Sequence, residues 1–252
     1  MRISVVGSCR VQDPLIARGV VLDQQGIGGY THNTREHLQL LSDPPLLPPS
    51  AAISKMVNLP MERKAVDVGD PDRWFVVEVS SIRVVKYESW YMQINRFAQY
   101  IGELAGTQFN ALSFKSQDDL RAQLAPIPGL PIDAQRIEFY EQGEDEICVD
   151  LREIHRQLGG RVLFVCHWDT DLKGRKIAQR TVVRNALNRL VMDDGFFYLD
   201  PTPYARRVPD VFVNQGHYAD WFKPIMGRIL ANRLSEVIGV EPLDLVKAAS
   251  PA

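Results

Sequence analysis

The residues best suited to chemistry lie at opposite ends of the chain. The segment Gly7-Ser8-Cys9-Arg10 follows a short apolar run, and Asn214 stands three positions before His217. A cysteine thiol and a histidine imidazole can serve as nucleophile and base in covalent acyl transfer, and an asparagine can hold the imidazole in one tautomer. We therefore predict a catalytic group of Cys9, His217 and Asn214, with Ser8 as the alternative nucleophile.

The remaining cysteines lack this setting. Cys148 lies in ICVDL and Cys166 ends the apolar run RVLFVC, so both are predicted to be core residues. Three widely separated cysteines offer neither a disulfide framework nor a CxxC pattern. His155, in LREIHRQL, is predicted to be a solvated helix residue. No close His/Cys spacing supports a metal site, and none is expected.

The elements that must position the site alternate between strand and helix patterns. Short β-branched or aromatic runs predict strands at 3–6, 74–79, 161–166 and 196–199. Apolar residues at helical spacing predict helices over 90–104 and 177–191, and capping signals predict helix starts at Asn33 and Ser116. This alternation predicts a three-layer α/β/α fold with a mainly parallel sheet. We expect a single domain over 1–252, with proline-rich insertions near 42–50 and 125–133.

Polar residues follow each predicted strand. Sites of open α/β sheets lie outside the carboxyl ends of the strands, so these residues are expected at one edge. They are Gly7 to Arg10, then Ser80, Ser81 and Arg83, then His167, Asp169 and Asp171, and finally Asp200 with Asn214 and His217. Cys9 and His217 are therefore predicted to approach each other there.

This arrangement resembles the SGNH, or GDSL-type, hydrolase superfamily, whose fold is flavodoxin-like. Its opening Gly-Asp-Ser corresponds to Gly7-Ser8-Cys9, and its closing Asp-x-x-His corresponds to Asn214-x-x-His217. The thiol variants of this fold are closer still: GSCFA-type proteins and capsular-polysaccharide-biosynthesis proteins with a Gly-Asn-Cys opening. The resemblance implies an esterase or acyltransferase that acts on sugar hydroxyls or small molecules, in some cases with coenzyme A.

The chain departs from that superfamily at two points. The usual Gly-x-Asn-Asp block is absent, and an asparagine replaces the closing aspartate. An asparagine suffices beside a cysteine nucleophile, as in Cys-His-Asn proteases. We expect a helix N-terminus and His217 to stabilise the Cys9 thiolate. The Cys9 amide is the first expected oxyanion donor, and an amide or hydroxyl of Ser80 or Ser81 is the second. His167 is expected to donate to the oxyanion or to contact the substrate.

Other polar residues suit substrate contact. Arg10 suits an anionic group, and Tyr30 and His32 lie in the glycine-led loop GGYTHNTREH. The segment from Lys173 to Arg184 is basic, so Arg175 and Arg180 are candidate contacts to coenzyme A phosphates, although such a run also suits a solvated face. No cofactor is expected to be required, and acyl-coenzyme A is a candidate co-substrate.

The composition excludes several classes of function. The formal net charge is -2 and no basic tail occurs, so no nucleic-acid partner is expected. Neither a signal peptide nor a membrane-length apolar run is recognisable, so we expect a cytoplasmic protein without a membrane partner. A small-molecule or carbohydrate substrate is expected. Two classes remain: an acyl-transfer enzyme, or a binding or scaffold protein that kept the fold and lost the chemistry.

Overall fold

The centre of the fold is a four-stranded parallel sheet. The structure, a computed structural model, describes residues 1–107, 109, 114–171, 173–206, 210–214 and 216–241. The sheet order is β1-β2-β6-β7, with strands β1 (Arg2–Val6), β2 (Arg73–Val79), β6 (Val162–Cys166) and β7 (Phe197–Leu199). All four predicted strands are confirmed, and so is the parallel sheet.

Alternate side chains of the strands point to opposite faces of this sheet. In β2, Phe75 and Val77 pack into one core, whereas Val76 packs into the other. Because the strands are buried on both sides, they form nearly continuous apolar runs. Glu78 has the same parity as Val76, so its carboxylate is directed to that second face.

Helices cover both faces, which confirms the three-layer α/β/α prediction. Helices α1 (Cys9–Ala17) and α9 (Lys223–Ile238) pack on each other over one face. The core of the other face takes in residues of α2 (Thr34–Leu40), α3 (Ala51–Val57), α4 (Ile94–Ala105), α5 (Gln117–Leu124), α6 (Glu144–Gln157) and α7 (Ala178–Asp194). A short helix, α8 (Thr202–Ala205), follows β7.

A second sheet is antiparallel and was not predicted. Its order is β4-β3-β5, with strands β3 (Arg83–Tyr87), β4 (Trp90–Met92) and β5 (Ile137–Glu141). A pair of short strands, β8 (Phe212–Asn214) and β9 (His217–Tyr218), lies near the end of the described chain. The predicted helix over 90–104 is therefore wrong at its start: Trp90 belongs to β4, and the helix begins at Ile94.

Helix starts follow the capping signals. Asn33 accepts a hydrogen bond from the Glu36 amide at 3.0 Å, and Ser116 accepts one from the Asp119 amide at 3.1 Å, so both predicted N-caps are confirmed. Ser50, at the end of the proline-rich segment 42–50, caps α3 in the same way. In the part of the chain that is described, no helix combines the length and the apolar character needed to cross a membrane.

Candidate active site at the carboxyl edge of the sheet

The turn after β1 places Cys9 at the first position of a helix. Ser8 is the N-cap of α1, and its hydroxyl accepts a hydrogen bond from the Arg10 amide at 3.3 Å. Gly7 is required by close approach, because a Cβ there would lie 2.7 Å from Cβ of Glu78. The thiol is thus carried at the carboxyl end of β1, as predicted.

Glu78, a residue that the sequence analysis missed, anchors this turn. Its buried carboxylate accepts hydrogen bonds from the Ser8 amide at 2.9 Å, from the Ser8 hydroxyl and from Arg10 Nε at 2.6 Å. Burial disfavours the charged form, but the Arg10 guanidinium and these hydrogen bonds outweigh it and hold the pKa of Glu78 below its usual value. The presence of a carboxylate inside the apolar run WFVVEV could have indicated that Glu78 has a specific role, because charged residues are seldom buried without partners.

These contacts decide the local role of Ser8. Its hydroxyl is buried, donates to Glu78 and accepts from the Arg10 amide. A hydroxyl engaged on both sides caps the helix and holds the carboxylate. Cys9 is therefore the better placed of the two candidate nucleophiles.

The thiol of Cys9 is half-buried and protonated at neutral pH. Its own backbone amide is close enough to donate a hydrogen bond to the sulfur, which opposes the effect of burial on the pKa. Burial raises its pKa above the usual value of 9.0, and the charges of Asp13 and Glu78 add to that rise against the opposing charge of Arg10. The expected stabilisation of the thiolate by its surroundings is thus not found, and the thiol needs a base.

We expect alkylation of Cys9 to accelerate steadily with pH. Because only the thiolate reacts and the thiol pKa lies above 9.0, the rate should rise about tenfold per pH unit from 7 to 8.5, without a plateau. Timed iodoacetamide labelling with peptide mass spectrometry measures this, and the buried Cys148 and Cys166 serve as internal slow controls. A plateau near pH 7 would instead reveal a stabilised thiolate.

Arg10 connects the start of the chain with its far end. Its Nη1 donates to the Gly216 carbonyl at 3.3 Å, within the segment that carries His217. There the Asn214 side-chain oxygen lies 3.0 Å from His217 Nδ1 and accepts from the Gly216 amide at 2.7 Å. In the neutral form of the ring, this contact places the proton on Nδ1 and the lone pair on Nε2. Both side chains are exposed, and no hydrogen bond joins the Cys9 thiol to His217 in the described structure.

His32 extends the network beside Arg10. Its buried Nδ1 lies 3.3 Å from Arg10 Nη2 and 3.0 Å from the Ser80 hydroxyl, and its Nε2 lies 3.1 Å from the side-chain amide of Asn95. Burial and the nearby Arg10 charge lower the pKa of His32 to about 3, so the ring is neutral. His32 therefore positions its neighbours. Asn95 had no sequence signal.

Ser80 and Ser81 lie near the site but their amides are occupied. They donate to the His32 carbonyl at 2.8 and 3.0 Å, respectively. The Ser80 hydroxyl contacts the His32 ring, and the Ser81 hydroxyl accepts from the Arg83 amide at 3.0 Å. In this structure neither amide is free to donate to an oxyanion, and the hydroxyl donor from this pair stays a prediction. The Cys9 amide has no acceptor in another described residue and remains available.

The hydrogen bonding of His167 opposes its role as an oxyanion donor, and its role as a substrate contact stays a prediction. Its buried Nδ1 lies 3.1 Å from the Trp168 carbonyl, which can only accept, so Nδ1 carries the proton. Burial, aided by the charge of Arg10, keeps its pKa well below the usual value and the ring neutral. Nε2 is buried, has no partner and can only accept. It cannot donate to an oxyanion.

The two candidate phosphate contacts lie in different surroundings. Arg180 Nη1 donates to the Trp168 carbonyl at 3.1 Å, and burial together with the Arg10 charge lowers the Arg180 pKa to about 10. Arg175 has a side chain that is 75% exposed and pairs with Asp171 at 2.7 Å. Arg180 thus lies in the partly buried region that also holds Arg10, Glu78 and Asp169, whereas Arg175 lies on the surface.

The other cysteines and His155 have structural surroundings. Cys148 and Cys166 are buried, as predicted. His155 is only half-exposed and stacks on Phe196, with 4.1 Å between ring centres, so its prediction as a solvated residue is wrong. Among the described residues, no three His, Cys, Asp or Glu side chains form a group that could hold a metal ion.

The sheet and its edge define the class of protein. It is a three-layer α/β/α protein with a cysteine where the first strand meets the first helix. The model of the TviD N-terminal domain family matches residues 1–233, so the chain belongs to that family. The family is related to biosynthesis of the capsular Vi polysaccharide, which agrees with the expected link to capsular polysaccharides. Neither curated proteins nor solved structures give a significant match.

Proposed function

We propose that the protein transfers an acyl group to or from a hydroxyl of a sugar or other small molecule through an acyl-Cys9 intermediate. The observation that carries this proposal is the 3.3 Å hydrogen bond from Arg10 to Gly216, which brings the segment of Cys9 to the segment of His217. The family's relation to polysaccharide biosynthesis supports a sugar as the hydroxyl-bearing substrate. The similarity of the motifs to the SGNH superfamily supports acyl chemistry.

In the first half-reaction, the thiol proton of Cys9 passes to His217 Nε2 while the sulfur attacks the acyl carbonyl. The Cys9 amide stabilises the oxyanion. The intermediate collapses to a thioester, and the leaving group takes the proton from His217. Asn214 holds the Nδ1–H tautomer that this exchange requires. The missing contact between Cys9 and His217 is expected to form with substrate, since catalytic hydrogen bonds often tighten only in the complex.

In the second half-reaction, the hydroxyl of an acceptor or of water gives its proton to His217 and attacks the thioester. Cys9 leaves as the thiol, so the site returns to its starting state. An acceptor gives a transferase, and water gives an esterase. Acyl-coenzyme A remains a candidate donor, with Arg180 and the more exposed Arg175 as candidate phosphate contacts. No other cofactor takes part in this scheme, and a cytoplasmic location stays a prediction.

Intact-protein mass spectrometry tests the proposal. The native chain and Cys9→Ala are exposed briefly to p-nitrophenyl acetate and, separately, to acetyl-coenzyme A, with turnover recorded in parallel. We expect a mass increase of one acetyl group, or turnover without accumulation, that Cys9→Ala abolishes. Reaction with the thioester as well would favour a transferase. No adduct and no turnover with either compound would contradict the proposal.

A binding or scaffold role is the second candidate. It is favoured by the occupied amides of Ser80 and Ser81 and by the acceptor-only Nε2 of His167, because these leave the Cys9 amide without a second amide or imidazole donor, and only the serine hydroxyls of the predicted set are left. Such a protein would bind a saccharide without forming a covalent bond. The same mass-spectrometry series, negative in every arm, would favour this role.

A further inference from the structure

An oxyanion that forms at Cys9 has the Cys9 amide as its first donor and needs a second one. Oxyanion holes of acyl-transfer enzymes generally combine two donors. The amides of Ser80 and Ser81 both donate to the His32 carbonyl. Their hydroxyls have partners as well: the Ser80 hydroxyl lies 3.0 Å from His32 Nδ1. The Ser81 hydroxyl accepts from the Arg83 amide at 3.0 Å. A second donor without such competition has to come from another loop at this edge.

The loop that carries Tyr30 is held against the turn of the nucleophile. The Thr31 amide donates to the Gly7 carbonyl at 3.0 Å, which fixes the residue after Tyr30 beside the start of α1. On its other side, the Tyr30 carbonyl accepts from Asn58 Nδ2 at 3.1 Å. Gly29 is required by close approach, because a Cβ there would lie 2.3 Å from the Asn58 carbonyl oxygen. The backbone on both sides of Tyr30 therefore follows a fixed path next to the thiol.

The Tyr30 phenol lies within electrostatic reach of Cys9. Burial raises the pKa of Tyr30 above its usual value of 10.0, and the charges of Cys9 and Asp13 add to that rise. The charge of Arg96 acts in the opposite direction. Cys9 and Asp13 are four residues apart, so they share one face of α1, and the phenol is close to that face. With its pKa raised, the phenol keeps its proton at neutral pH and can donate a hydrogen bond.

The Tyr30 hydroxyl is also accessible to a substrate. The residue is 36% exposed, and in the part of the chain that the structure describes its hydroxyl has no hydrogen-bond partner. It thus differs from the hydroxyls of Ser80 and Ser81, which have partners within the fold. Tyr30 is therefore a hydrogen-bond donor beside the thiol whose acceptor has to come from a bound molecule.

We propose that the Tyr30 hydroxyl is the second donor to the oxyanion at Cys9. As the sulfur attacks and the thiol proton passes to His217, the π electrons of the carbonyl move to its oxygen. The Cys9 amide and the Tyr30 hydroxyl each donate a hydrogen bond to that oxygen, and Tyr30 keeps its proton throughout. The hydroxyl takes the place of the Gly-x-Asn-Asp block that the chain lacks. This role rests on the proposed function, because the oxyanion forms only in acyl transfer.

Two reactions of the same thiol test this role. Acetylation by p-nitrophenyl acetate passes through an oxyanion, whereas alkylation by iodoacetamide displaces iodide without forming one. We expect Tyr30→Phe to lower kcat/KM for p-nitrophenyl acetate about 100-fold, as loss of one oxyanion donor does in other enzymes. Alkylation of Cys9 at fixed pH should stay within about twofold of the native rate, because the thiolate reacts there without that donor. Initial rates and timed peptide mass spectrometry give the two values.

Tyr204→Phe is the matched control for the loss of a phenol hydroxyl. Tyr204 lies in α8 and is 42% exposed, close to the exposure of Tyr30. Both rates should stay within about twofold of native in this variant, because an exposed change away from the site has little effect. Melting temperatures recorded by circular dichroism check that both variants are folded.

The outcomes separate the role of Tyr30 from the proposed function. A ratio of acetylation to alkylation that falls by less than about tenfold in Tyr30→Phe overturns the donor role and leaves acyl transfer at Cys9 standing. A parallel loss of both reactions overturns it too, because Tyr30 would then act on the thiol or on the fold. Neither adduct nor turnover in the native chain would contradict the proposed function, and the donor role would fail with it.

Discussion

Turnover of an activated acetyl ester is expected to fall about 1000-fold or more in Cys9→Ala. The change removes the atom that forms the acyl bond, and loss of a covalent nucleophile is among the largest single effects in enzymes. Ser8→Ala should reduce turnover much less, and only through a loss of stability. It removes a helix cap and a hydrogen bond to Glu78, which lowers stability by about 1 kcal/mol or more. Initial rates, with circular dichroism as a check on folding, measure both effects.

Cys148→Ala is the matched control for the loss of a thiol, since Cys148 is buried in α6 far along the chain. It should leave turnover within about twofold of the native rate once any loss of folded protein is corrected. Residual turnover in Cys9→Ala together with an inactive but folded Ser8→Ala would reverse the assignment and make Ser8 the nucleophile.

The second large effect is expected for His217→Ala, with a loss of about 100-fold to 10,000-fold in turnover at neutral pH. The high pKa of Cys9 makes the thiol dependent on a base, which explains the size of the effect. Because His217 is exposed, the melting temperature should change little. Asn214→Ala should reduce turnover less than His217→Ala, since it removes only the acceptor that favours the proton on Nδ1 of the imidazole.

Two measurements accompany that variant. Turnover of His217→Ala should rise toward the native rate as the pH is raised, because hydroxide then generates the thiolate that the imidazole no longer provides. Added free imidazole should restore part of the loss at neutral pH. Unchanged turnover in His217→Ala at neutral pH would show that another group removes the proton.

The parallel sheet was predictable because its strands are long apolar runs between turn residues, buried on both faces. The antiparallel sheet was not. Its hairpin connects Tyr87 to Trp90 through Glu88 and Ser89, and Glu88 adopts a left-handed φ of 56°. Such turns usually carry asparagine or glycine, so the residues there gave no hairpin signal. The apolar spacing that starts at Trp90 consequently resembled the beginning of a helix.

The sequence predicted where in the fold the candidate site lies, but only part of its hydrogen-bond geometry. The rule that sites lie at the carboxyl ends of strands placed Cys9 and Arg10 near the segment of His217, whereas His32 was a candidate only because of its glycine-led loop. The direction of individual hydrogen bonds depends on loop paths that spacing does not encode. The His32 carbonyl occupies the amides of Ser80 and Ser81, and the Trp168 carbonyl fixes the tautomer of His167.

The hydrogen bond between Arg10 and Gly216 spans 206 positions of sequence, and this separation has a consequence during synthesis. At about 5–20 residues per second, the ribosome adds His217 roughly 10–40 s after Cys9. Throughout that interval the nascent chain holds a nucleophile without its proposed base. The proposed nucleophile and its base therefore come together only after the last part of the site has been synthesised and has folded against Arg10.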